Sequence, residues 1–149
     1  MILKVSIQDE ALAEEILKLQ KRAYKVEAEL IGCNRIPPLY ETLEQLQQVN
    51  ELFFVYMKQD VISGAIAIEH KHAGIHICRV MVDPSSFRKG IARELLTYVE
   101  ELAGNNTPLF VSTGANNLPA IRLYTAVGYE QVGTKKVGEG LLLAQFIKK

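Results

Sequence analysis

Residues 80–96 read VMVDPSSFRKGIARELL, and they constrain the fold more than any other stretch. An apolar, β-rich run stops at Asp83-Pro84, because proline cannot donate to a strand ladder. Two cationic side chains, Arg88 and Lys89, stand directly before Gly90. An apolar stripe of Ile91, Leu95, Leu96, Val99 and Leu102 then follows at helical spacing. Gly104 is a natural stop signal, and PLFVST after it reads as a second strand. A strand, a helix and a strand in that order can place the two strands parallel through a right-handed crossover. The expected result is a helix packed on a mixed sheet.

The flanking sequence supplies the rest of the sheet. ILKVSI, residues 2–7, reads as a first strand. Ser6 with Asp9 fits a capping box, so a helix should follow. Leu12, Ile16 and Leu19 recur at helical spacing to about Tyr24, and KVEAELIG either extends that helix or leaves it. Pro37 breaks the pattern. Thr42 and Gln45 make a second capping box, which opens a short helix. LFFVYMK and VISGAIAIEH are separated only by Gln59-Asp60, a hairpin spacing, and KHAG turns the chain into IHICRVMV. Asn117-Leu118-Pro119 opens a helix that Gly128 closes. YEQVGTKK and LLLAQFIK, joined by VGEG, form a last hairpin.

The predicted order is β-α-α-β-β-β-α-β-α-β-β. This is an α/β (α+β) chain with a mixed, mostly antiparallel sheet of about seven strands and helices on both faces. With 149 residues, one domain over 1–149 is expected.

Composition matters chiefly for what it excludes. A formal net charge of +0 argues against a nucleic-acid partner or an anionic membrane surface. No apolar run approaches the roughly 20 residues of a membrane span. The two cysteines, Cys33 and Cys78, have no metal spacing, so no metal is expected, and a reducing cytoplasmic location is.

The turn before Gly90 suggests chemistry. A helix N-terminus leaves about four N–H groups without partners and carries partial positive charge, so it suits phosphate. Gly90 and the small Ala92 let a ligand approach the backbone, and Arg88, Lys89 and Arg93 add charge. GxxxxGK[ST] is absent, and one glycine does not make GxGxxG. The alternative is an ordinary turn with solvated basic residues.

VMVDPSSFRKGIARELLTYVEEL resembles the central motif of the GNAT superfamily, the Gcn5-related N-acetyltransferases. That motif ends in [Q/R]-x-x-G-x-[G/A], which here reads Phe87-Arg88-Lys89-Gly90-Ile91-Ala92, with Phe87 replacing Gln or Arg. ANNLPAIRLYTAVGYEQVG resembles the family's N-x-x-A-x-x-L-Y-x-x-x-G-[F/Y] segment through Asn117, Ala120, Leu123, Tyr124, Gly128 and Tyr129.

The resemblance implies a sheet splayed between its fourth and fifth strands, with acetyl-CoA as donor and an amine as acceptor. Val80, Met81 and Val82 would pair with the pantetheine arm. Backbone from Arg88 through Gly90, Ile91 and Ala92 to Arg93 would hold the pyrophosphate. Asn117, near Ala120, would bond the CoA arm or simply cap its helix. Tyr124 would protonate the leaving thiolate or pack in the core. His76 and Glu69 are the candidate bases, and Cys78 is expected to be a small buried residue. Glu27, Glu29 and Tyr40, with Glu41, would form the acceptor wall or a solvated face. A non-catalytic acyl-CoA-binding module is the alternative function. The apolar edge of LLLAQF is a candidate surface for a homodimer.

Overall fold

The computed structural model describes residues 1–33, 36–137 and 141–149. Its strands are β1 (Ile2–Val5), β2 (Leu52–Lys58), β3 (Val61–Lys71), β4 (Gly74–Val82), β5 (Leu109–Gly114), β6 (Glu130–Lys136) and β7 (Leu142–Lys148). Its helices are α1 (Glu10–Ile31), α2 (Leu43–Gln47), α3 (Ile91–Ala103) and α4 (Leu118–Ala126). They follow one another in the predicted order. The seven strands form one sheet in the order β1-β2-β3-β4-β5-β7-β6. Only β4 and β5 pair in parallel, across the α3 crossover.

Local signals explain most boundaries. Gln59 and Asp60 have φ of 51° and 65°, as a two-residue hairpin turn with both central residues left-handed requires. Thr42 and Gln45 exchange both bonds of their capping box, at 3.1 and 2.9 Å. The first helix corrects the expectation for Ser6. Its Oγ accepts from the Gln8 N–H within the preceding turn, so Asp9 caps α1 instead, accepting from the Leu12 N–H. KVEAELI continues the helix to Ile31, and Gly32 ends it in the left-handed region. The VGEG turn lies outside the described residues beyond Val137.

Each face of the sheet buries its own core. Ile66, Ile68, Ile75 and Ile77 pack with Leu95, Leu96 and Val99 of α3. Phe53, Val55, Ala65, Ala67 and Met81 pack on the other face with Ile16 and Leu19 of α1. LLLAQF is not an edge. β7 pairs with β5 on one side and β6 on the other. The edge on this side of the sheet is β6, whose EQVGTKK carries two lysines and is almost wholly exposed, which discourages strand pairing.

An ion network pins the region after α1 to the sheet. Arg79 of β4 donates to Glu51 Oε1 at 2.8 Å, to Gln20 Oε1 at 2.6 Å and to Glu41 Oε1 at 2.5 Å. Burial disfavours the guanidinium charge, but the bonds to Glu41 and Glu51 outweigh it and raise its pKa. Burial likewise opposes the Glu41 carboxylate, yet bonds from Arg79 and Gln20 hold its pKa below the usual range. Glu41 is thus not free for an acceptor.

Arg79→Ala is expected to cost about 3–5 kcal/mol, the usual penalty for orphaning buried charges. Urea unfolding would measure it, and a shift under 1 kcal/mol would mean that the network is solvated. A lowered carboxylate pKa stabilises the fold above its unfolded value of about 4.3, and that contribution vanishes as pH falls through the folded value. The variant should therefore lose less stability than the parent on acidification.

Candidate active site

The parallel pair is short. Ile75, His76 and Ile77 oppose Leu109, Phe110 and Val111, and there the pairing stops. Cys78 is the cause. It is the extra residue of a bulge, because Ala67 opposes Arg79 while Ile68 opposes Ile77. A bulge bends its strand and reverses the alternation beyond it. β4 stays with β3 to Val82, while β5 follows β7 to Gly114.

The ladder fixes which backbone groups face the gap. The Asp83 N–H bonds the Ser63 oxygen at 2.9 Å, so Asp83 points at β3. Alternation gives Met81 the same direction and turns Val80 and Val82 toward the gap. Met81 is therefore a correction: its backbone serves β3 and its side chain is fully buried.

The gap opens into a cleft of about 1430 Å³, which Val80, Val82, Arg88, Gly90, Ile91, Ala92, Arg93, Asn117, Ala120, Tyr124, His76 and Glu27 all line. That volume exceeds the roughly 300–1,000 Å³ typical of a single small-ligand pocket. Lys89 is exposed outside the lining. At one end, Gly90 is the N-cap of α3, with φ 77° and no side-chain cap. Arg88 is also left-handed, at φ 65°. A non-glycine residue there costs about 1–2 kcal/mol. Nothing in the local pattern marks Arg88 for this conformation. With no side-chain cap at Gly90, the first N–H groups of α3 are left open to the cleft.

Asn117 caps α4, its Oδ1 accepting from the Ala120 N–H at 3.3 Å. Its Nδ2 donates to Glu27 Oε1 at 2.7 Å, and the Thr113 hydroxyl donates to the same oxygen at 3.0 Å. Tyr124 is buried, its ring tilted against Tyr129 and Phe146 at centroid distances of 5.8 and 5.7 Å. Burial, with the Glu27 charge second, raises its phenol pKa. Tyr24 also lines the cleft, and burial followed by Glu27 raises its phenol too. Tyr24 is not among the expected site residues, although its spacing from Glu27 puts both on one helix face.

Other candidates fall elsewhere. His76 stacks on Phe110 at 4.8 Å, and desolvation, then Lys71, lowers its pKa. Glu69 lies opposite His76 in the ladder, pairs with Lys71 at 3.7 Å and is outside the cleft lining. Glu29 is exposed and also outside it, because it lies two residues from Glu27 and so off that helix face. Tyr40 is exposed and lines a smaller neighbouring cleft with Glu41, Glu51 and Arg79. Cys78 is exposed rather than buried, because the bulge turns it out of the ladder. Desolvation, then Glu51, pushes its thiol up to about 12, so it stays protonated.

Residues 34–149 match the acetyltransferase (GNAT) domain family. This chain belongs to the GNAT acetyltransferase family. It is 39% identical over 139 residues to the UPF0157 protein YqkA of Bacillus subtilis (strain 168). That match covers 93% of this GNAT chain but only 40% of YqkA, so the chain spans about two fifths of its curated relative. The GNAT fold recurs in the PaiA N-acetyltransferase from Thermoplasma acidophilum in complex with coenzyme A, with TM-score 0.76, 15% identity and coverage of 97% and 96% of the two chains. It recurs again in the ribosomal-protein-S18-alanine N-acetyltransferase from Escherichia coli, with TM-score 0.75, 17% identity and coverage of 99% and 91%. Among the described residues no helix is long and apolar enough to cross a membrane, and no cluster suits a metal ion.

Proposed function

We propose that residues 1–149 act as one domain that transfers the acetyl group of acetyl-CoA to a primary amine, by direct attack with donor and acceptor both bound. One observation carries this reading: a single cleft joins the interrupted β4–β5 ladder, the uncapped N-terminus of α3 and Tyr124. Family membership supports acetyl transfer, and the CoA-bound PaiA relative supports the donor.

In this reading the N–H and C=O groups of Val80 and Val82 pair with the amides of the pantetheine arm. The pyrophosphate rests on the N–H groups that begin α3, with Arg88 and Arg93 adding charge-assisted contacts and Lys89 acting at longer range. Gly90 and Ala92 leave room for it. Asn117 already caps α4 and holds Glu27, so it also bonds the CoA arm only if its Oδ1 accepts a second donor.

Tyr124 gives its proton to the thiolate as the carbon–sulfur bond breaks. Glu27 gives the cleft a negative group beside the reacting end, which suits a cationic or neutral amine. An amine of pKa about 10.4 needs about 4.6 kcal/mol to be neutral at pH 7, so a proton acceptor must offset part of that. His76 lines the cleft and its lowered pKa keeps it neutral, whereas Glu69 lies away from the reacting end.

Calorimetric titration with acetyl-CoA, beside free CoA and ADP, tests the reading. Saturable binding of acetyl-CoA and of CoA is expected. No binding of either would end it.

A further inference from the structure

From the geometry of Glu27 we infer that this carboxylate is the proton acceptor for the attacking nucleophile, an inference that rests on the acetyltransferase reading above. Glu27 is the only carboxylate among the described residues that line the main cleft. Its two hydrogen bonds, from Asn117 Nδ2 and the Thr113 hydroxyl, both fall on Oε1. Oε2 accepts none among the described residues, so one oxygen is anchored and the other is left for a ligand. Both anchors come from the β5–α4 segment, and α4 carries Tyr124. Glu27 belongs to α1, but its side chain is held by the segment that leads into the helix carrying Tyr124.

Electrostatics agree with that closeness. Glu27 is the one charge that shifts the Tyr124 phenol. His76, the rival base, sits opposite Phe110 within the β4–β5 ladder, and after desolvation the charges that act on it are Lys71 and Glu69, not Glu27. Its ring is also committed to Phe110.

The step balances. The nitrogen lone pair forms a bond to the thioester carbon while the carbonyl π pair moves to oxygen. The N–H proton passes to Glu27 Oε2. The carbonyl reforms, the carbon–sulfur bond breaks with its pair on sulfur, and the Tyr124 hydroxyl protonates that thiolate. Glu27 then releases its proton to solvent and Tyr124 takes one from solvent, so both residues return to their starting states. Neutralising Glu27 removes the negative charge that holds the proton on Tyr124, so base action in the first half prepares acid action in the second.

Glu27→Gln is a conservative test, because the amide oxygen can still accept from Asn117 and Thr113. Thiol release from acetyl-CoA would be followed with water alone and then with ethanolamine, spermidine and a lysyl peptide as probe amines. Water must also lose a proton on attack, so the assay works before the natural acceptor is identified. Turnover is expected to fall about a hundredfold in Glu27→Gln, the scale of a lost general base. Acetyl-CoA affinity by calorimetry should stay within about twofold, since no new contact to the donor is lost. Glu27→Asp should recover part of the loss, and formate should partly restore Glu27→Ala. Parental turnover in Glu27→Gln, or loss of acetyl-CoA affinity equal to the loss of turnover, would overturn the assignment and leave the transferase reading standing. No thiol release from a parent protein that binds acetyl-CoA would remove both.

Discussion

Gly90→Glu is expected to weaken acetyl-CoA binding at least about a hundredfold, or roughly 2.7 kcal/mol, while leaving the protein folded. A carboxylate within about 4 Å of a phosphate charge costs about 4 kcal/mol at a surface-like dielectric, enough for that loss. The fold should survive because a Cβ built on Gly90 meets nothing within 4 Å. The backbone cost remains, since φ is 77° and a side chain there pays about 1–2 kcal/mol. Gly90→Ala separates the two effects. It carries the same backbone strain without charge, and should lose stability similarly while keeping most of its affinity. Calorimetry with acetyl-CoA gives the affinities and thermal unfolding gives the stabilities. Unchanged affinity in Gly90→Glu would mean that the phosphates do not rest on α3.

Much of the turn into α3 is legible in the sequence, because its signals are local. Proline, glycine and the stripe from Ile91 to Leu102 fix a turn and a helix with no reference to distant residues. The paired capping box at Thr42 and Gln45 and the hairpin at Gln59-Asp60 are local in the same sense. What failed depended on tertiary context. Ser6 and Asp9 both suit a cap, and only the turn geometry that occupies the Ser6 hydroxyl decides between them. LLLAQF looked like an edge because hairpin pairing reveals one neighbour of a strand, never the second. The β4 bulge had a sign that was passed over. Apolar residues facing α3 fall at the odd positions Ile75 and Ile77, then at the even positions Val80 and Val82. A change of parity within one strand means one extra residue, which is Cys78. Glu27 stands out in the sequence only through the family resemblance of the first helices and its charge. Its bonds to Thr113 and Asn117 join segments far apart in the chain and leave no periodic trace.

Tyr124→Phe is expected to lower thiol-release turnover about 10²- to 10⁴-fold without changing acetyl-CoA affinity. The substitution removes one oxygen and keeps the ring that packs on Tyr129 and Phe146, so stability should change little. A phenol pKa raised by burial first looks wrong for an acid. The comparison that matters is with the group it protonates. A free thiol has a pKa of about 8.5 and a free phenol about 10, so transfer from the phenol to a thiolate is modestly uphill and is driven once the thiolate forms. Exclusion of water disfavours the charged form of each, so burial opposes both the phenolate and the thiolate. Because Tyr124 is held protonated through the neutral range, it enters each cycle as a donor. Turnover in Tyr124→Phe equal to the parent, with water and with the probe amines, would mean that the hydroxyl takes no part and the ring only packs.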